Sequence, residues 1–171
     1  MPTSLDLGEC MIVRLLEKED WATFRALRLE ALLAHPEAFG SSYEEESNRS
    51  EDEWKAGFET SQLLGCFVVN KLVGCAGFFV LSSLKMRHRG VLFTMYSKPA
   101  YRNRGIADAL VKEVISQAKK RVTQLHLTVV TTNKTAIKLY EKNGFRIYGT
   151  EPNSLKVTDH FYDEHMMVLE F

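Results

Sequence analysis

The apolar positions of this chain follow two different periods. Runs typical of β-strands cover residues 10–15, 64–69, 72–81, 91–96, 124–130 and 166–171. The spacing of three to four residues that is typical of amphipathic helices joins two sets of apolar side chains: Trp21, Phe24, Leu27 and Ala31, then Ile106, Leu110, Val114 and Ala118. A shorter helix is predicted over residues 51–60. The predicted order is therefore strand, helices, hairpin, strand, helix, strand, helix, strands.

This order predicts a mixed sheet. A strand, a helix and a second strand follow one another between residues 91 and 130, which requires a parallel pair joined by a right-handed crossover. The runs 64–69 and 72–81 are separated by Asn70 and Lys71, which predicts a tight antiparallel hairpin. We therefore expect an α/β (α+β) fold in which one parallel pair is embedded in an otherwise antiparallel sheet.

Composition adds the properties of an ordinary globular domain. The chain has 171 residues, of which 45% are hydrophobic and 26% charged, so one domain over residues 10–171 can bury its own core. Residues 1–9 are predicted to be a flexible tail. Lys plus Arg and Asp plus Glu both number 22, so no overall field favours nucleic acid or an anionic membrane. The start lacks a secretory signal and no run reaches membrane-spanning length, which predicts a cytoplasmic protein.

The cysteines and histidines give no metal-binding pattern. An odd number of cysteines lies among apolar residues, which predicts reduced, buried thiols: Cys10, Cys66 and Cys75. The histidines include no pair three or four residues apart: His35, His88, His126, His160 and His165. We therefore expect no metal site.

A basic turn lies between the strand that ends near Ser97, before Pro99, and the helix that begins near Gly105. Its residues are Arg102, Asn103, Arg104, Gly105, Ile106 and Ala107. The first turn of a helix exposes unpaired N–H groups and the positive end of the helix dipole, so an anion can bind there. Gly105 allows close approach of the backbone, and Lys98 adds positive charge. The predicted ligand is phosphorylated.

The common phosphate-loop and dinucleotide motifs are absent from this turn. The pattern that fits is Arg-x-x-Gly-x-Ala, followed after one strand by Asn-x-x-Ala-x-x-Leu-Tyr-x-x-x-Gly-Phe over residues 133–145. With both blocks in this order, the chain resembles the GNAT superfamily of acyl-CoA-dependent N-acetyltransferases, in its bacterial single-domain form. Simple helix chemistry also explains much of the second block, with Asn133 as N-cap, Tyr140 on the packed face and Gly144 as the left-handed residue after the helix.

The resemblance implies a GNAT-like sheet of six to seven strands, mostly antiparallel and twisted, with helices on both faces and a central strand-loop-helix unit that binds CoA. It implies direct transfer of an acetyl group from acetyl-CoA, as co-substrate, to a primary amine of a small molecule or peptide. It also implies how the donor is bound: the pantetheine arm by Met95, Tyr96 and Ser97, the pyrophosphate by residues 102–107, and the pantetheine or acetyl region by Asn133. Tyr140 takes the position of the general acid near the sulfur, and relatives are often homodimers.

The general base is missing from the position where many relatives carry it. Many have a glutamate on the strand before the phosphate turn, whereas residues 91–96 contain no carboxylate. His126, on the polar side of the next strand, is a candidate base, and a hydrogen-bonded strand histidine is the alternative.

An acidic run is the only hint about the acceptor. Phe39, Tyr43 and Glu44 are candidate acceptor-binding residues, because residues 43–46 lie where relatives shape the acceptor groove, and an acidic rim would suit a cationic amine. The alternative is a solvated face, with Ser50 capping the next helix. Two other functions stay open: an acyl-CoA-binding sensor without turnover, and a nucleotide-binding regulator.

Overall fold

One seven-stranded sheet runs through residues 10–171, the part of the chain that this computed structural model describes. The tail expected at residues 1–9 lies outside the described residues. The strands are β1 (Met11–Leu15), β2 (Ser61–Val68), β3 (Lys71–Val80), β4 (Arg89–Ser97), β5 (Gln124–Val130), β6 (Arg146–Val157) and β7 (His160–Glu170). Their order across the sheet is β1-β2-β3-β4-β5-β7-β6, and only β4 and β5 pair in parallel. The predicted mixed, mostly antiparallel sheet is confirmed.

Helices cover both faces of this sheet, as predicted. They are α1 (Trp21–Ala34), α2 (Tyr43–Ser47), α3 (Glu51–Thr60), α4 (Ile106–Ala118) and α5 (Lys134–Lys142), with 3₁₀ turns at Lys18–Asp20, Pro36–Ala38 and Pro99–Tyr101. One core joins α4 and α5 to the sheet, and a second core joins α1 and α3 to the opposite face. Because β2 and β3 are covered on both faces, their sequences are apolar almost throughout.

Close packing of α4 on the sheet depends on Gly74. A Cβ atom at this position would lie 2.9 Å from Cγ2 of Ile106 and 3.1 Å from Cδ1 of Leu110. Glycine therefore lets the first turns of α4 approach β3, which fixes the start of this helix next to the end of β4.

The hairpin turn lies one residue earlier than predicted. Val68 pairs with Lys71, so the two-residue loop is Val69–Asn70 instead of Asn70–Lys71. Both loop residues have positive φ, 47° and 59°, as a type I′ turn requires. The prediction relied on Asn70 as a turn former, but it did not foresee a β-branched residue in the left-handed region.

Three further sequence predictions need correction. The last strand begins at His160, not at residue 166, because it pairs with β6 along its length. The short helix α2 forms within the acidic run, where no helix was predicted. Cys10 is exposed because it precedes an edge strand with little cover, whereas Cys66 and Cys75 are buried. Burial raises the pKa of the Cys66 thiol to about 11 and that of Cys75 to about 12.

The central parallel pair is joined at one end only. Residues 89–91 of β4 pair with residues 124–126 of β5, although β4 continues to Ser97 and β5 to Val130. The sheet therefore opens between the carboxyl ends of these two strands. This opening positions the candidate site.

Candidate active site

A cleft of about 730 Å³ fills the opening between β4 and β5. Its walls come from Met95, Tyr96 and Ser97 of β4, from Val130 at the end of β5, and from elements on both faces of the sheet. The 3₁₀ turn at Pro36–Ala38 contributes from the α1 side, and the starts of α4 and α5 contribute from the other side. The cleft therefore passes through the sheet, and two molecules could meet in it from opposite faces.

A β-bulge interrupts β4 shortly before its carboxyl end. Phe93 lies opposite Gly77 and Tyr96 lies opposite Cys75, so β4 carries one extra residue, and Thr94 adopts a φ of 55°. Beyond the bulge, Met95 packs against the α4 side and Tyr96 belongs to the core on the α1 side.

The backbone of the same segment has donors free for a ligand. The N–H of Lys98 donates to the carbonyl of Val73 on β3 over 2.8 Å. Successive N–H groups of a strand point to opposite edges, so those of Ser97 and Met95 face the opening. An extended ligand lying in the cleft can pair with them as a further strand would.

The turn after β4 forms an open cradle at the start of α4. Gly105 has a φ of 76° at the N-cap position, and Asn103 has a φ of 60°. A Cβ atom at Gly105 would meet nothing within 4 Å, so the space above it is free. The N–H groups of Ile106, Ala107 and Asp108 belong to the first helical turn, which has no acceptors within the helix. These groups and the helix dipole suit a phosphate.

The basic side chains of this turn are held by the protein itself. Arg102 donates to the carbonyl of Ser97 over 3.3 Å and to Nε2 of His35 over 3.1 Å. Lys98 pairs with Glu30 over 3.0 Å, and Arg104 lies over the ring of Tyr101. An anion in this cradle would therefore contact chiefly main-chain N–H groups, with the cations supplying nearby positive charge.

Asp108, in the first turn of α4, places a carboxylate beside the cradle and lines the cleft. Hydrogen bonds from Lys112, then Asn143, lower its pKa to about 2. Its charge is thus balanced by neighbouring lysines, Lys112 at 2.7 Å and Lys142 at 3.4 Å.

The second sequence block contributes one wall of the cleft. Asn133 lines the cleft, and its Oδ1 accepts a hydrogen bond from the N–H of Ala136 over 3.2 Å, as expected of an N-cap. Gly144 has the left-handed φ of 94°. Tyr140 is 5% exposed and packs edge-on against Phe145, behind the part of the wall that Ala136 and neighbouring residues form. Burial raises the pKa of Tyr140.

His126 lies away from the other predicted site residues. It is opposite Val91, at the closed end of the β4–β5 pair, and contacts Arg89, Gln124 and Tyr148. Burial, and then the charge of Arg89, lowers its pKa. The structure therefore does not bring His126 to the cleft.

The predicted acceptor residues are also separated. Phe39 lines the cleft, whereas Tyr43 and Glu44 lie on α2 and are not part of its lining. Within the same acidic run, Glu45 forms a capping box with Ser42, and Glu46 forms a buried ion pair with Arg28 over 2.9 Å. Ser50 and Glu53 form a capping box at α3, as the alternative interpretation of this region predicted.

Several cleft residues were not predicted from the sequence. His35 and Glu37, 3.8 Å apart, line it from the turn after α1. The sequence does predict Tyr96 as a site residue, but it does not predict the hydrogen bond that its hydroxyl donates to Glu30 over 3.0 Å. Burial, and then this bond, raises the pKa of Tyr96 to about 12. Pro36 signals that α1 ends here, but only the tertiary fold brings this turn to the opening of the sheet.

Residues 10–171 include no group of three or more His, Cys, Asp or Glu side chains arranged to hold a metal ion. Within the same residues, no helix is both long and apolar enough to cross a membrane.

Known proteins share this architecture. The profile of the Acetyltransferase (GNAT) family matches residues 23–145, so the chain belongs to the GNAT acetyltransferase family, as the two motifs predicted. A GNAT acetyltransferase from Streptococcus pneumoniae superposes with a TM-score of 0.82 at 25% identity, over 95% of this chain and 99% of that one. The yncA protein of Salmonella typhimurium, whose structure contains its cofactor acetyl-CoA, has a TM-score of 0.83 at 20% identity, over 94% of each chain.

One curated relative has a named activity. The L-amino acid N-acetyltransferase AaaT of Escherichia coli (strain K12) is 46% identical over 52 residues. This match spans 29% of the present chain and 32% of AaaT.

Proposed function

We propose that this protein is an N-acetyltransferase that moves the acetyl group of acetyl-CoA directly to a primary amine of a small molecule or peptide. The observation that carries the proposal is the cleft through the sheet, with the first turn of α4 at one end and the end of β4 along one wall. The acetyl-CoA in the yncA structure and the N-acetyltransferase activity named for AaaT support the same chemistry.

Acetyl-CoA would lie with its pyrophosphate at residues 102–107 and its pantetheine arm along Met95, Tyr96 and Ser97. Asn133 lines the same cleft and would contact the pantetheine or acetyl region. The thioester carbonyl would then face strand N–H groups, which can stabilise the negative charge that develops on its oxygen. This binding mode holds the thioester in the opening and leaves the α1 side free for an amine.

The departing thiolate needs a proton, and Tyr140 is proposed to supply it. Burial raises the pKa of Tyr140, so its hydroxyl remains protonated at neutral pH. A CoA thiol titrates near ~8.5 and therefore accepts a proton as the C–S bond breaks.

The buried Cys66 and Cys75 are unpaired thiols, which fits a reducing compartment, and we propose that the protein acts in the cytoplasm.

The test is thiol release from acetyl-CoA across a panel of amines that includes amino acids, polyamines and peptide N-termini. We expect at least one amine to release CoA together with an equal amount of N-acetylated product. Binding of acetyl-CoA without release by any amine would contradict the proposal and favour the acyl-CoA sensor, which the absence of a carboxylate on residues 91–96 supports.

A further inference from the structure

Glu164 of β7 is a buried carboxylate that the chemistry described above does not use. It is 8% exposed, and one of its oxygens, Oε2, accepts a hydrogen bond from the hydroxyl of Ser154 over 2.5 Å. Between Cys10 and Phe171, no lysine, arginine or histidine nitrogen lies within 4.0 Å of it. Burying a carboxylate without a cation is costly, so the position calls for a positively charged partner.

The register of the sheet puts Glu164 beside the cleft. It lies directly opposite Val130, the last residue of β5 and part of the cleft wall. Val91 and His126 form the last β4–β5 pair, and Met95 and Val130 each follow four residues later. Glu164 is therefore level with the segment of β4 that is proposed to hold the thioester.

Glu164 also lies on the acceptor side of the sheet. Leu125, Leu127 and Val129 point into the core beneath α4, so Val130 and its partner Glu164 point to the opposite face. The 3₁₀ turn at Pro36–Ala38 packs against β5 and β6 on this part of the sheet and lines the cleft. The carboxylate thus lies on the face from which an amine would enter.

A second bulge orients the partner of Glu164. The β6–β7 register shifts between Glu151 and Leu155, and Asn153 adopts a φ of 51°. The N–H of Asn153 donates to Oδ1 of Asp163 over 2.8 Å, which fixes the bulge. Bulges redirect side chains at functional sites, and this one directs the Ser154 hydroxyl to Glu164.

We infer that Glu164 accepts the proton of the incoming ammonium through one bridging water, and so takes the role of the carboxylate that β4 lacks. The inference rests on the proposed function. The ammonium proton passes through the water to the carboxylate, the freed nitrogen lone pair attacks the thioester carbon, a C–N bond forms and the C–S bond breaks. The departing thiolate takes the hydroxyl proton of Tyr140. The second proton that the nitrogen loses on becoming an amide restores the Tyr140 hydroxyl, and Glu164 releases its proton to solvent before the next turnover.

Glu164 lies behind Val130 and is not itself part of the cleft lining, whereas two groups that do line the cleft are less suited to this role. Nε2 of His35 already accepts a hydrogen bond from Arg102. Glu37 stands on a short turn with its side chain 38% exposed, where water screens and solvates it. Glu164 lies on a strand, and a strand fixes the position of a proton acceptor more precisely than a turn does.

The experiment compares Glu164→Gln with Glu170→Gln, a matched control on the same strand at its far, exposed end. For the amine that the panel identifies, we expect Glu164→Gln to lower kcat/KM about 100-fold or more at pH 7. This loss should shrink as the pH approaches the amine pKa near ~10, because the amine then arrives already neutral. The Kd for acetyl-CoA and the activity of Glu170→Gln should stay at the wild-type values.

Several results would overturn the inference. A wild-type pH profile in Glu164→Gln, a loss that is equal at every pH, or the expected pattern in Glu37→Gln instead would each do so. If Glu164→Gln does not fold, Ser154→Ala decides: we expect a shifted pH midpoint for kcat/KM, and an unchanged profile contradicts the role. A wild-type enzyme inactive on every amine would refute the proposed function itself, whereas an active one with an unaffected Glu164→Gln refutes only this inference.

Discussion

Single residues with unusual backbone angles define the donor side of the cleft. Gly105 has a φ of 76° in the cradle, and Thr94 has a φ of 55° in the β4 bulge. Left-handed backbone is costly for residues with a Cβ atom, so such positions persist where the surrounding structure requires them. The glycine of the motif is thus explained by backbone conformation as well as by space for a phosphate.

Substitution of Gly105 should weaken donor binding. Alanine in the left-handed region costs about 1–2 kcal/mol. In the free variant the turn can relieve this strain by leaving the binding conformation, so we expect Gly105→Ala to raise the Kd for acetyl-CoA about tenfold. Gly57, in the middle of α3, is the matched control, because a Cβ atom there also meets nothing within 4 Å. Gly57→Ala should leave this Kd unchanged and stabilise the protein by about 0.5–1 kcal/mol. Calorimetric titration measures both constants, and equal Kd values in the two variants would contradict the cradle.

Removal of the Tyr140 hydroxyl should affect turnover more than donor binding. We expect Tyr140→Phe to lower kcat about 100-fold, the scale of general acid catalysis, with the Kd for acetyl-CoA within twofold of the wild type. Tyr148→Phe is the control, since Tyr148 is exposed and contacts His126 at the closed end of the β4–β5 pair, away from the cleft. Unchanged turnover in Tyr140→Phe would remove this residue from the acid role.

Among the elements, the acidic run shows how one sequence pattern can contain different functions. Glu45 caps α2, Glu46 is buried against Arg28, and Glu44 is exposed. Burial raises the pKa of Glu46, but the hydrogen bonds and charge of Arg28 outweigh this, so its net pKa lies below the ordinary value. The run therefore joins α2 to α1, and a shared acceptor-binding role for its members stays a prediction.

This ion pair should make the stability of the protein sensitive to acid. The pKa of Glu46 is lower in the folded protein than in the unfolded chain, where a glutamate titrates near ~4.3. The ionised carboxylate therefore stabilises the folded state at pH values above ~4.3, and this contribution is lost as the pH falls through the folded pKa. We expect Glu46→Gln to lower the free energy of unfolding by about 3–5 kcal/mol at pH 7, because Arg28 is left buried and unpaired.

Urea denaturation at pH 7, 5 and 4 measures this effect. The loss caused by Glu46→Gln should become smaller at pH 4, whereas Glu44→Gln should match the wild type at pH 7. An equal loss at pH 7 and pH 4 would show that the Glu46 charge does not contribute.

The turn of the β2–β3 hairpin contains a β-branched residue in the left-handed region. Val69 is 62% exposed and adopts a φ of 47°, a region that β-branched residues rarely occupy. Asparagine tolerates this conformation, so Val69→Asn should raise the free energy of unfolding by about 1 kcal/mol. Urea denaturation with an unchanged m-value checks the prediction, and destabilisation would contradict the assigned turn.

In the whole molecule, the sequence predicts local structural units better than the tertiary contacts between them. The strand-turn-helix around Gly105 and the capped helix after Asn133 are contiguous, so periodicity and motif residues suffice to find them. His35 and Glu37 reach the cleft only through the packing of a turn, and Glu164 comes beside it only through strand register. No local sequence pattern encodes either arrangement. The bulge at Thr94 is hidden because an apolar run gives the same pattern with or without an extra residue.

Ligand binding should be visible in the stability of the whole domain. At a free concentration of 100 times Kd, acetyl-CoA should stabilise the native state by about 2.7 kcal/mol, or raise Tm by roughly 5–10 °C. At the same free concentration, CoA should act similarly, and ATP should have a smaller effect because it lacks the pantetheine arm and therefore has a higher Kd. Equal effects of ATP and acetyl-CoA would favour the nucleotide-binding regulator.

A crystal structure of the protein with acetyl-CoA would test the proposed donor-binding cleft without any kinetic assumption. We expect the pyrophosphate within hydrogen-bonding distance of N–H groups of residues 103–108, the pantetheine arm along Met95 and Ser97, and the thioester between β4 and Val130. A ligand bound elsewhere, or a pantetheine arm outside the opening of the sheet, would contradict the account.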